Sequence, residues 1–159
     1  MAKQTAVRAA PCVEGGDVRR GLLPGLVGYQ LRLAHSAVFA HFAASAGVHG
    51  TSPGEFGVLT IVEQNPGLSQ TALARAVGVD RSSMVPVIDK LEKMKLVQRR
   101  RSDRDLRRYA IHLTRTGGTR LAAMPDAVRR HEVATSKTLS ARERAALVAA
   151  LIKVRDAAE

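Results

Sequence analysis

The stretch from residue 69 to residue 115 decides the fold, and it reads SQTALARAVGVDRSSMVPVIDKLEKMKLVQRRRSDRDLRRYAIHLTR. Its first part predicts a short helix that Ser69 caps and Gly78 ends. A second helix follows, with Asp80 or Ser82 as its cap. Two helices joined by so tight a turn are typical of a helix-turn-helix, whose second helix enters the major groove of DNA.

A basic β-hairpin is predicted directly after the second helix. Residues 97–101 indicate a short strand, residues 102–105 a polar turn, and residues 107–113 a second strand with alternating side chains. The alternation places Tyr109, Ile111 and Leu113 on one face and Arg108, Ala110 and His112 on the other, with His112 expected to face outward.

Positive charge is concentrated in this stretch. Residues 69–115 hold twelve Lys and Arg against five Asp and Glu, a local net charge of +7 out of +11 for the whole chain. A basic cluster in a chain of pI near 11.0 indicates a polyanionic partner. One basic helix alone is more often a solvated surface, but the short helix before it and the arginine-rich hairpin after it favour DNA.

The second helix has an apolar side and a polar side. The apolar side is predicted to face the core and consists of Met84, Val87, Ile88, Leu91 and Met94. The polar side is predicted to face DNA, since hydroxyls reach base edges and lysines suit phosphates, and it consists of Ser82, Ser83, Pro86, Lys90 and Lys93.

The sequence before this stretch predicts an arm and two helices. Residues 1–20 are polar and indicate a mobile arm. Pro24 suits the opening turn of a first helix, and residues 26–46 carry apolar side chains at helical spacing. Residues 52–55 read Ser-Pro-Gly-Glu, a capping box that opens a helix ending at residues 65–67, Asn-Pro-Gly.

Two more helices are predicted after the hairpin. Thr114 or Thr116 starts one of them, and a second capping box, Ser-Ala-Arg-Glu at residues 140–143, opens the last. The fold class expected is therefore mainly α with a small β-hairpin.

Length and composition restrict the class of protein. The 159 residues and 17.0 kDa suit one domain, and 3% aromatic residues require an aliphatic core. Cys12 is the one cysteine, which excludes an internal disulfide and suits the cytoplasm. We predict neither a signal peptide nor a membrane span, and the sequence contains no P-loop, dinucleotide fingerprint or nucleophile elbow. We therefore expect neither an enzyme nor a cofactor.

A series of short motifs in fixed order carries a family resemblance. The motifs are Pro66-Gly67-Leu68-Ser69-Gln70, Leu73-Ala74, Asp80-Arg81-Ser82-Ser83-Met84-Val85, Leu91-Glu92, Leu96-Val97-Gln98-Arg99, Asp105-Leu106-Arg107 and Leu113-Thr114-Arg115-Thr116-Gly117. In order and spacing they resemble the MarR (multiple antibiotic resistance regulator) family over about residues 20–157. The Asp-x-Arg followed by Leu-Thr-x-x-Gly is the most specific part.

The resemblance implies an architecture and partners. It implies a winged helix-turn-helix that is dimeric through its N- and C-terminal helices, and a transcription factor, often a repressor released by a small anionic ligand. The chain would then divide into a mobile arm (1–20), an N-terminal dimerisation helix (21–50), a DNA-binding lobe (51–116) and C-terminal dimerisation helices (117–159). The partners implied are a second copy of the chain, a pseudo-palindromic operator in double-stranded DNA, and an effector such as an aromatic carboxylate or acyl thioester.

The resemblance also implies individual DNA contacts. Arg107 corresponds to the wing arginine that enters the minor groove, which attracts arginine where it is narrow. Asp105 would hold that arginine in place, or else is a plain turn residue. The full set of expected DNA-binding residues is Ser69, Gln70, Arg81, Ser82, Ser83, Pro86, Lys90, Lys93, Arg101, Arg104, Asp105, Arg107 and Arg108.

Two positions depart from the family pattern. Val85-Pro86 stands where the family commonly has a polar pair, often Thr-Arg, and a proline removes one helical hydrogen bond. Lys95 stands where the family usually has glycine, so a positive φ there would cost about 1 kcal/mol.

Three residues of the first helix form the expected effector site. In the family that the chain resembles, the first helix helps to line a ligand cleft, so the resemblance implies this role for Tyr29, Arg32 and His35. The simpler uses are core or dimer packing for the tyrosine and a surface or interhelical ion pair for the two basic residues, for example with Glu143. Cys12 lies in the arm without the fixed basic neighbour that redox sensing requires, and no two of the five histidines have the spacing of metal ligands.

Two other functions fit part of the sequence. An architectural, sequence-tolerant DNA binder would explain the charge and the apolar Val85-Pro86 pair, and predicts strong salt dependence with little sequence preference. A basic module that binds an anionic membrane or an acidic protein is supported by charge alone. We expect DNA rather than a membrane as the partner.

Overall fold

A computed structural model describes residues 18–45, 50–101 and 109–158. Over these residues the chain forms a mainly α fold with one small antiparallel sheet, as predicted. The helices are α1 (Val27–Ser45), α2 (Pro53–Gln64), α3 (Gln70–Val77), α4 (Arg81–Lys93), α5 (Arg115–Ala122), α6 (Pro125–Ser136) and α7 (Ala141–Asp156), and the strands are β1 (Leu68–Ser69), β2 (Val97–Arg101) and β3 (Tyr109–Leu113).

The chain divides into two compact units after His35, within α1. In the first unit a 3-10 turn, Leu23–Gly25, precedes α1, and the Gln30 side-chain amide donates to the Pro24 carbonyl oxygen at 2.7 Å. The second unit, residues 36–159, contains the sheet and helices α2 to α7.

The core of the second unit is aliphatic, as the composition predicts. Its main cluster joins α2, α3, α4, α5 and the sheet through Val58, Leu59, Val62, Leu73, Ala74, Met84, Ile88, Leu91, Leu96, Val97, Ile111 and Leu121. The predicted apolar side of α4 is confirmed, because Met84, Ile88 and Leu91 are buried and Val87 and Met94 pack against the cluster. A smaller cluster joins α1 to α6 through Phe42 and Ala127, with Met124 between α5 and α6.

The sheet has three strands where the sequence predicts a two-stranded hairpin. Strand β1 pairs with Ile111 and Ala110 of β3, which gives the strand order β1-β3-β2. Strand β3 is the central strand, and Ala110 and Ile111, whose side chains point to opposite faces of the sheet, are both buried. The expectation that His112 faces outward is wrong, since its side chain is half-buried beside Gly67.

The helix starts follow the predicted caps, but three helices rather than two follow the sheet. Both capping boxes form, at Ser52 and Ser140, and Thr114 caps α5 by accepting from the amide of Gly117 at 3.0 Å. Pro125 starts the additional helix, α6, because proline lacks the N–H that would continue α5 and suits a first turn.

Lys95 adopts a left-handed backbone conformation, with a φ of 59°. We expect Lys95→Gly to stabilise the protein by about 0.5–1 kcal/mol, because relief of about 1–2 kcal/mol of strain exceeds the added chain entropy of glycine. Urea denaturation measures the effect. The control is Lys95→Ala, which removes the same charge but keeps the Cβ, and equal stability of the two variants would contradict the strain argument.

Candidate DNA-binding surface

Helices α3 and α4 form the predicted helix-turn-helix. At the start of α3 the Ser69 hydroxyl accepts from the amide of Ala72 at 3.2 Å, and at its end Gly78 has a φ of 77°. Helix α4 begins at Arg81, with Asp80 in the N-cap position but without a side-chain capping bond. The two helices are thus delimited by the residues that the sequence indicates.

The polar side of α4 is exposed, as predicted. Ser82, Ser83 and Pro86 lie on its surface, and Val85 is 40% exposed beside them. Pro86 lies in the helix interior, so the carbonyl oxygen of Ser82 has no residue-86 amide to accept from. Between Ser82 and Pro86 the surface of this helix therefore presents two hydroxyls and an apolar pair.

A basic concave surface lies where α3, the start of α4 and the sheet meet. It is a cavity of about 560 Å³ lined by Ser69, Gln70, Thr71, Ala72, Arg75, Arg81, Arg99 and Tyr109. The structure thereby brings together three predicted site residues, Ser69, Gln70 and Arg81. Arg75 was missed as a site residue, although its place in the last turn of α3 follows from helical spacing.

Arg75 and Arg81 have no carboxylate partner in the described part of the chain, whereas two other cations of this region do. The first of these paired cations is Lys90. Its ammonium lies 2.6 Å from a carboxylate oxygen of Glu55, whose side chain is 6% exposed. Burial raises the pKa of Glu55, but hydrogen bonds from Lys90 and from the Ser52 backbone outweigh burial and hold that pKa below its usual value. Lys90 was predicted as a DNA contact from its exposed position, and its internal partner lies too far away in sequence to be foreseen.

Arg99 is the second paired cation. Its guanidinium lies 2.5 Å from Asp89 and 2.5 Å from Glu92, both on α4. Burial lowers the pKa of Arg99, but the hydrogen bonds to Asp89 and Glu92 outweigh burial and raise that pKa above its usual value. This arginine therefore links the strand that leads into the hairpin turn with the second helix of the helix-turn-helix.

The remaining predicted DNA contacts divide into two groups. Lys93 and Arg101 are exposed, at the end of α4 and the end of β2. The four expected contacts in the hairpin turn lie outside the described residues, and so does Cys12. These four are Arg104, Asp105, Arg107 and Arg108.

The predicted effector residues lie along α1. The guanidinium of Arg32 lies over the ring of Tyr29, 5.2 Å from its centroid, and Tyr29 is half-buried. His35 follows Arg32 by one helical turn, on the exposed side of the helix.

Two histidines far apart in sequence make contact between α1 and α6. The Nδ1 atoms of His41 and His131 lie 2.8 Å apart. Burial, with a smaller contribution from His41, lowers the pKa of His131. Among the described residues no group of three or more His, Cys, Asp or Glu side chains converges as a metal site would require. None of the described helices combines the length and apolar character of a membrane span.

Known proteins share both sequence and fold with this chain. Residues 51–109 match the sequence model of the MarR family. A protein of Thauera aromatica, described as a transcriptional regulatory protein for the hcr operon, is 42% identical over 136 residues, which cover 85% of this chain and 82% of that protein.

Solved structures of two regulators match the fold closely. The transcriptional repressor CouR bound to a 23-mer DNA duplex has a TM-score of 0.80 at 33% identity and covers 88% of this chain and 99% of its own. CouR bound to p-coumaroyl-CoA has a TM-score of 0.80 at 31% identity and covers 87% of this chain and 98% of its own. PcaV of Streptomyces coelicolor with its natural ligand has a TM-score of 0.81 at 25% identity and covers 90% of this chain and 100% of its own. With this fold, this helix-turn-helix and these relatives, the chain belongs to the MarR family of transcriptional regulators.

Proposed function

We propose that this protein is a homodimeric transcriptional repressor that binds a pseudo-palindromic operator in double-stranded DNA and is released by a small anionic effector. The observation that carries the proposal is the basic concave surface around Arg75 and Arg81, in a fold that matches a repressor bound to DNA. We further propose that the protein is not an enzyme and acts in the cytoplasm.

Helix α4 is the recognition helix of this proposal. Its exposed Ser82 and Ser83 reach base edges in the major groove, and Pro86 contacts a thymine methyl group. Around it, the side chains that bind phosphates are Ser69, Gln70, Arg75, Arg81, Lys93 and Arg101. Phosphate contacts set the position of α4, while the few contacts along α4 read the sequence.

The hairpin turn acts as the wing in this proposal. Arg107 enters the minor groove, held by Asp105, while Arg104 and Arg108 bind phosphates. What supports this assignment is the Asp-x-Arg motif, which lies in the sequence between the paired strands β2 and β3.

The helices at the two ends of the chain form the dimer. Helix α7 has no buried residue, yet it presents apolar side chains that are 39–53% exposed, namely Leu147, Val148, Leu151 and Ile152. A row of exposed large apolar side chains on one helix indicates a protein partner. We assign residues 21–50 and 117–159 to the dimer and residues 51–116 to DNA binding.

The effector is an aromatic carboxylate or its acyl thioester. The CouR structure with p-coumaroyl-CoA supports this chemical class, and Tyr29, Arg32 and His35 supply an aromatic ring and two groups that bind anions. Effector binding would favour a dimer whose recognition helices no longer match the operator spacing.

Hydroxyl-radical footprinting tests the proposed function. The operator is taken as the duplex that the protein selects from a random-sequence library. Two symmetric protected regions should appear, with centres about 10 base pairs apart, because the recognition helices of a dimer lie one helical turn apart. Light scattering of the same sample should give the mass of a dimer. Uniform protection along the duplex, or one protected half-site, would contradict the proposal.

A further inference from the structure

Three charged side chains join the recognition helix α4 to strand β2, and we call them the Arg99 clamp. Asp89 and Glu92 lie one turn apart on α4, and Arg99 of β2 binds one with each of its terminal nitrogens, at 2.5 Å in both cases. An arginine that binds two carboxylates in this way has a defined orientation, because its guanidinium is planar and rigid.

The clamp also holds the backbone of β2. This strand lies at the edge of the sheet, since the strand order is β1-β3-β2. The amide of Arg99 donates to Glu92 Oε1 at 3.0 Å, so the carboxylate of Glu92 binds both the main chain and the side chain of one residue. Helix α4 therefore holds strand β2 at its middle residue, Arg99, two residues before the strand ends at Arg101.

Attraction to DNA does not explain why the clamp lies on this helix. Its three side chains carry a net charge of −1, and Asp89 and Glu92 are 45% and 38% exposed. Two carboxylates on the helix that reads DNA repel phosphates. Exposed ion pairs also contribute little to stability. The clamp thus opposes the attraction of DNA while it fixes the geometry of the parts that bind DNA.

We infer that Arg99, Asp89 and Glu92 are positioning residues that fix the wing relative to the recognition helix and thereby set the preference for the operator over other DNA. This inference rests on the proposed function. The clamp lets α4 and the wing reach the major and minor grooves of one operator in a single arrangement. Without the clamp, α4 and the wing bind DNA independently, and the protein no longer binds the operator more tightly than other DNA.

The double variant Asp89→Ala/Glu92→Ala separates positioning from charge. Removal of two negative charges should strengthen binding to a scrambled duplex by about threefold or more, since fewer repulsive charges face the phosphates. Positioning requires that operator binding weakens at the same time, so the ratio of the two affinities falls at least tenfold. A purely electrostatic role predicts tighter binding to both duplexes with an unchanged ratio, and that result would overturn the inference.

Two further variants complete the test. Glu63→Ala/Asp126→Ala removes two exposed carboxylates away from the clamp and should leave the ratio unchanged. Arg99→Lys keeps the charge but cannot bind the two carboxylates with two separate nitrogens, and it should also lower the ratio of operator to scrambled-duplex affinity. It remains informative if the double variant does not fold, and an unchanged ratio for it would likewise overturn the inference. A wild-type protein that does not prefer its selected duplex would instead refute the proposed function.

Discussion

Replacement of Gly117 by alanine is expected to destabilise the protein by about 3 kcal/mol or more and to abolish operator binding. Gly117 lies in the first turn of α5, where the chain packs on the turn between α4 and β2. A Cβ at this position would lie inside the contact distance of the Leu96 carbonyl oxygen and 2.8 Å from a methyl carbon of Leu113. Backbone atoms cannot move away as a flexible side chain can, so the added methyl must displace α5.

Urea denaturation followed by circular dichroism measures this effect, and the neighbouring residue provides a matched control. Gly118 lies in the same helix with open space around its Cα. Gly118→Ala should therefore stabilise the protein by about 0.5–1 kcal/mol, because alanine favours a helix over glycine. The two variants have the same amino-acid composition, because each replaces one glycine of α5 by alanine. Equal stabilities would therefore refute the close packing of α5 on Leu96.

Loss of Arg75 and Arg81 is expected to have the largest effect on DNA binding among variants that keep the fold. Both guanidinium groups line the concave surface, and neither has a carboxylate partner in the described part of the chain. If each binds one phosphate, the double variant Arg75→Ala/Arg81→Ala should lower the slope of log K against log salt by about 2. Affinity at 0.1 M salt should fall by about tenfold per arginine, for operator and scrambled duplex alike.

Fluorescence anisotropy over a series of salt concentrations checks this result. The control is Arg130→Ala/Lys137→Ala, which removes the same charge from two exposed residues, one on α6 and one at its C-cap. If both double variants reduce the slope equally, DNA responds to the total charge of the protein, and the concave surface is not the phosphate-binding site.

The elements that the sequence predicts correctly are those with local signals. Ser52, Ser69, Thr114 and Ser140 each cap a helix by accepting from the amide three residues ahead. The glycine at residue 78 ends α3 because a left-handed conformation is needed there. All of these bonds form within one turn of the chain, so the residues that make them are visible side by side in the sequence.

The features that escaped prediction depend on contacts distant in sequence. Strand β1 has two residues, which are too few to show the alternation of apolar and polar side chains that predicts a strand. It forms because β3 passes beside it. The contacts of Lys90 with Glu55 and of His41 with His131 join helices that the tertiary fold brings together. The family motif contains Gly117, but its physical reason, the nearby Leu96 carbonyl, appears once α5 is placed on the turn between α4 and β2.

The most direct test of the central claim, that this protein recognises a specific DNA sequence, is a comparison of two affinities. Fluorescence anisotropy would measure binding to the duplex selected from a random-sequence library and to a scrambled duplex of equal length, at two salt concentrations. We predict that the selected duplex is an imperfect palindrome and binds about 10³-fold more tightly or better, with a preference that survives added salt. Equal affinities that fall together as salt is raised would contradict the claim and indicate a sequence-tolerant, architectural DNA-binding protein.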